Sequence, residues 1–130
     1  MFKIEKKPYG YHITLEGFIQ EEEANDWLQE SRKILLSAPK DFCVFVNMMD
    51  LKPMSAESSA LIEQGQKEFK LKGLKRSVVV LANPITKMQF KRVAKQSGIY
   101  EWERYLDVAS TSDYESVGEK WLVEGIDPDA

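Results

Sequence analysis

The chain has 130 residues, 43% hydrophobic and 30% charged, with a net charge of −3. That is material for one domain with a real core, and too apolar for a disordered chain. Cys43 is the only cysteine, which excludes an internal disulfide, and no uncharged apolar stretch approaches the ~20 residues that cross a bilayer.

Phe2 and Ile4 alternate with polar residues up to Lys7, and Tyr11, Ile13 and Leu15 do so up to Glu16. Pro8-Tyr9-Gly10 lies between them, so the two runs predict a β-hairpin with a turn there. Over 20–38 the period changes: Ala24, Trp27, Leu28, Ser31, Ile34, Leu35 and Ala38 recur at helical spacing. Glu21, Glu22 and Glu23 suit the positive end of that helix, and Pro39 stops it. Phe42 to Met48 is a short apolar run of the kind covered on both faces of a sheet.

After the loop Asp50-Leu51-Lys52-Pro53, Ser55 caps a helix running to about Leu71. Its inner stripe is Ser58, Leu61, Ile62, Gly65 and Phe69, and Gly65 predicts a close helix-to-sheet approach. Ser77 to Ala82 is the clearest buried strand. Asn83-Pro84 opens a third helix, which runs to Ser97 and stops at Gly98. Arg104 to Val108 reads as the last strand, and Ser112 with Glu115 as the capping box of a final helix. Residues 127–130 read as a frayed tail after one domain over 1–126. The order β-β-α-β-α-β-α-β-α predicts an α/β fold with a single mixed sheet and helices packed mainly on one face.

The charge is unevenly spread. Residues 67–104 hold ten Lys/Arg and three acids, a net of +7, and the remainder nets −10. Such polarity either steers a charged partner or makes two solvated faces. Lys87, Lys91 and Lys95 form one stripe on the third helix, with Arg92 alongside. Like charges at that spacing repel by a few tenths of a kcal/mol, so an acidic partner there would offset a cost, although a solvated face explains them too. The acidic total and poor aromatic interleaving argue against a nucleic-acid partner.

Two stretches carry a family likeness. Phe45-Val46-Asn47-Met48-Met49-Asp50-Leu51 ends a strand in an Asp-Leu pair, and Ser55-Ala56-Glu57-Ser58-Ser59-Ala60-Leu61 opens the next helix. With the element order, this resembles the STAS superfamily, best known from bacterial anti-sigma-factor antagonists. There an Asp-Ser-Ser-Gly-Leu signature opens the helix. Aligned without a gap from Asp50, the signature serines fall on Ala56 and Glu57. With a two-residue insertion they fall on Ser58 and Ser59, with Glu57 for the Asp and Ala60 for the Gly.

The resemblance implies a non-enzymatic regulatory module that docks a protein partner of the regulatory kinase or sigma-regulator class. A serine at this point, Ser58 ahead of Ser59 and Ser55, would be phosphorylated to switch docking off. Asp50, Glu57, Lys87, Lys91, Arg92 and Lys95 would line the docking surface. The bland readings stand beside these: Ser55 is a cap, Ser58 lies on the buried stripe, and Glu57 supplies a fixed negative charge. The similar STAS-like proteins described with Sec14-like lipid-binding domains imply an alternative, a carrier of a small apolar or lipid ligand. Met48, Met49 and Met54 near the loop suit an adaptable pocket. A homodimer also stays open.

Little else offers chemistry. His12 is the only histidine, on the strand face opposite Ile13, with no relay partner in view. Cys43 reads as core. No His/Cys cluster suggests a metal, no Gly-rich loop a phosphate cofactor, and no apolar leader a secreted protein, so the cytoplasm is the expected compartment. Tyr100 and Trp102 either seal the sheet edge or form a contact surface.

Overall fold

Five strands form one mixed sheet whose spatial order repeats the chain order: β1 (Phe2–Lys7), β2 (Gly10–Leu15), β3 (Cys43–Met48), β4 (Arg76–Leu81) and β5 (Glu103–Asp107). The computed structural model describes residues 1–130. β1 and β2 pair antiparallel across a tight turn, Lys7 opposite Gly10, and every later pairing is parallel. Four helices follow the strands: α1 (Glu21–Leu35), α2 (Ala56–Leu71), α3 (Pro84–Ser97) and α4 (Tyr114–Glu124). A single 3₁₀ turn, Tyr100–Trp102, leads into β5.

The crossovers all step the same way across the sheet, and their uniform hand puts α1, α2 and α3 on one face. Beneath them lies the larger core, with Tyr11, Ile13 and Leu15 of β2, Trp27 and Leu28 of α1, Phe69 of α2 and Phe90 of α3. α4 covers the other face alone, where Trp121 and Leu122 meet Phe45, Val78, Val80 and Leu106. β3 and β4 are therefore sandwiched, which is why their sequences are apolar on both sides. No helix is long and apolar enough to cross a membrane.

Several expectations shift. The first helix ends at Leu35, earlier than its apolar stripe suggests. The close approach at Gly65 is to another helix: a Cβ there would stand 2.3 Å from the Trp27 ring of α1. The helix-to-sheet contact falls on Gly118 of α4, against Phe45 and Val78. The capping box at Ser112 does not form, since Asp113 precedes α4 and no side chain caps it. The last strand starts one residue early, which brings Glu103 into the sheet. Residues 127–130 also fold back, with Asp127 on Arg104 through paired bonds of 2.8 and 2.9 Å.

Candidate functional site

The carboxyl end of β3 runs into a loop that the fold holds down at four points. Gly17 donates to the Asp50 carbonyl (2.8 Å) and accepts from the Lys52 amide (3.1 Å). Thr86 of α3 donates to the Leu51 carbonyl (3.3 Å). Gln89 of α3 closes a two-bond clamp on Met54, donating to its carbonyl (2.6 Å) and accepting from its amide (2.9 Å). Leu51 and Met54 turn inward and are buried. The loop is thus preformed. Gln89→Ala is expected to cost about 1–2 kcal/mol and to speed hydrogen exchange at the Met54 amide about tenfold. Unchanged exchange would mean the clamp does not hold the loop.

The clamp delivers the chain to α2 with Ser55 as N-cap. Ser55 is exposed, and its Oγ accepts from the Ser58 amide at 3.1 Å. Ser58, the serine the resemblance favours, is 0% exposed and packed within 3.1 Å of the Ser55 hydroxyl. Ser59 is also buried and bonds to the Ala56 carbonyl (3.1 Å). A kinase reaches neither without opening the first turn of α2, and Ser55 is the hydroxyl within reach. Asp50 and Glu57 are exposed beside it.

Three apolar side chains stand exposed at the same end of the sheet, on either side of the loop. Phe18, after β2, is 70% exposed with the Lys52 ammonium 5.2 Å from its ring centre. Ile85 and Met88, on the first turns of α3, are 64% and 74% exposed. They flank Thr86 and Gln89, the residues that hold the loop.

The lysine stripe meets this surface at Lys87 and Lys91, which line one concavity with Met88. Lys91 and Lys95 lean toward the open edge of the sheet, 5.4 Å above the Tyr105 ring and 4.8 Å above the Tyr100 ring. Arg92 projects about 100° round the helix from Lys91 and leaves the stripe. The same lysines also line a groove along β5.

A buried carboxyl escaped the sequence reading. Glu103 points under α2 and α3, accepting 2.6 Å bonds from Ser77 and Tyr105. Burial pushes its pKa up to about 7 against the pull of those two donors. It borders a narrow cavity of about 40 Å³ walled by Ile13, Trp27, Val44, Ile62, Phe69 and Val79. That is room for roughly one to three waters and far below the several hundred Å³ of a ligand pocket. A lipid tail would not fit with α1 and α2 as they stand. The larger open concavity, about 560 Å³, lies at the other end of the sheet between Tyr9, Lys75, Arg76 and Glu119.

His12 stacks on Phe45, ring centres 5.0 Å apart, and burial lowers its pKa. No serine bonds to it, and its Nδ1 stands 3.7 Å from Glu5. Cys43 is buried with its Sγ on the Leu122 carbonyl (3.4 Å). No three His, Cys, Asp or Glu side chains converge as metal ligands would. No family model matches the chain, and no curated protein matches its sequence.

Proposed function

We propose that this chain is a non-enzymatic, STAS-like regulatory module of the cytoplasm that docks a protein partner on the loop end of its sheet. The observation that carries the reading is a clamped loop with exposed apolar side chains on either side, Phe18 after β2 and Ile85 and Met88 on α3. Rigid, exposed apolar side chains lower the ordering cost of association and are typical of docking surfaces. The strand order supports it as well. It never reverses, so the sheet has no topological switch point, where α/β enzymes place their ligands.

Ser55 supplies the switch. A phosphate there adds a charge of about −1.5 to −2 at the amino end of α2, where free N–H groups stabilise it. The same charge at the clamped loop would repel an acidic partner and add a desolvation cost to burying the surface.

Affinity capture from native lysate, with Phe18→Glu and Met88→Glu in parallel, tests the surface. The partner held by the wild type should be lost from both variants. Retention by both would place docking elsewhere. Ser55→Asp should weaken the captured complex about tenfold. Ser55→Ala should leave docking intact while costing about 1 kcal/mol of stability through loss of the cap. Equal docking by wild type and Ser55→Asp would remove the switch.

A further inference from the structure

The open edge of β5 is a second surface, chemically unlike the first. Val108 donates to the Leu81 carbonyl (3.0 Å), so strand alternation turns the N–H and C=O of Tyr105 away from β4 and toward the open edge. The neighbouring carbonyls are already used: Glu103 accepts from Arg104 (3.0 Å), and Asp107 accepts from the Ser110 and Thr111 amides. What remains is one unpaired amide unit at Tyr105, long enough for a short added strand.

Beside this edge runs a groove of about 290 Å³ lined by Lys87, Lys91 and Arg104 and, against them, by Glu101, Glu103 and Asp129. Lys87, Lys91 and Lys95 reach no carboxylate within ion-pair distance, whereas Arg104 already holds two. Residues 127–130 provide them. Asp127 is bidentate on Arg104, and Asp129 enters the groove 3.7 Å from the same guanidinium. A turn bearing two carboxylates thus already lies at the Arg104 end of the groove, and the lysines at the other end stay free.

We propose that this groove docks an acidic, extended segment of a partner protein, which pairs with Tyr105 as a short sixth strand and lays its carboxylates on Lys87 and Lys91. Main-chain bonds to the edge give register, and the lysines select for acid. The tail acts as a resident competitor at Arg104. The site adjoins the loop end at Lys87 and Lys91 but does not depend on the function proposed there.

The probe is a hexapeptide of alternating glutamate and valine, titrated into isotope-labelled full chain. Amide shifts should concentrate at Tyr105, Asp107 and the α3 lysines, with affinity falling at least tenfold between about 50 and about 500 mM NaCl. Lys87→Glu with Lys91→Glu, both on the surface, should weaken binding more than tenfold. A Ser55→Asp chain should bind the peptide as the wild type does, which separates this site from the first. Three results would overturn the proposal: no shifts along β5, unchanged affinity in the double variant, or response to a single-stranded oligonucleotide with none to the peptide.

Discussion

Glu103→Gln should make the protein more stable than wild type at pH 8 and close to it at pH 4, by a margin of about 3 kcal/mol or about 10 °C in Tm. The carboxyl ordinarily titrates near 4.5, and burial raises its folded-state pKa to about 7. Its full stabilising share is therefore present below about pH 4.5, shrinks as the unfolded chain ionises, and is lost once pH passes about 7.

The local bonds allow both protonation states. As a carboxylate, Glu103 accepts from Ser77 and Tyr105 at 2.6 Å each. As an acid, it donates to the Tyr105 oxygen, whose own proton then turns to the Phe90 carbonyl 3.4 Å away. Glutamine reproduces the second pattern at every pH. The groups around Glu103 are Tyr105 on its own strand, Ser77 on β4, Gln66 on α2, and Lys87, Lys91, Glu101, Arg104 and Asp129 along the groove. Tyr105 has its pKa raised chiefly by burial and Arg104 by its bond to Asp127, and both shifts are silent in this window. His12, Glu68 and Asp127 have lowered pKa values and contribute slopes of the opposite sense, which cancel when variant and wild type are compared pH by pH. Denaturation at several pH values reads the margin. A difference that stays constant from pH 4 to pH 8 would show that Glu103 does not titrate there.

Glu103 also shows where reading the chain stops. The strands and helices were legible because each carries its period locally: the alternation of β1 and β2, the apolar run of β3, the Asn83-Pro84 start of α3. Glu103 sits between Trp102 and Arg104, and nothing in that triplet says it turns inward. Its one signal is Ser77, a polar residue second in the most apolar strand, and the two meet only because β4 and β5 pair in that register. The lysine stripe was legible as a spacing, but the tyrosines beneath it come from the segment after α3 and a strand edge. Ser55 as a cap was legible, whereas the motif drew attention to Ser58, whose place on the inner stripe already foretold its burial. Gly65 promised a close approach and could not name the neighbour, since Trp27 lies on another helix. Contacts between distant segments are what one sequence, read alone, leaves out.

Gly10→Ala should cost about 4 kcal/mol or more, enough to leave much of the chain unfolded at 37 °C. The sequence places Gly10 in a turn, but it opens β2 directly opposite Cys43 of β3. A Cβ there would lie 2.0 Å from the Cys43 carbonyl oxygen and 2.8 Å from its nitrogen. Both atoms belong to the backbone of a strand covered on both faces, so neither can swing aside as a side chain end would. The residue's φ of +144° adds conformational strain for any L side chain. Gly17 separates the two costs. It too has positive φ, +73°, but a Cβ there meets nothing within 4 Å. Gly17→Ala should therefore cost only about 1–2 kcal/mol, the strain alone. Urea denaturation of both variants reads the gap. Equal losses would mean that β2 and β3 part easily at this end, and that the hairpin is less firmly joined to the parallel strands than its pairing suggests.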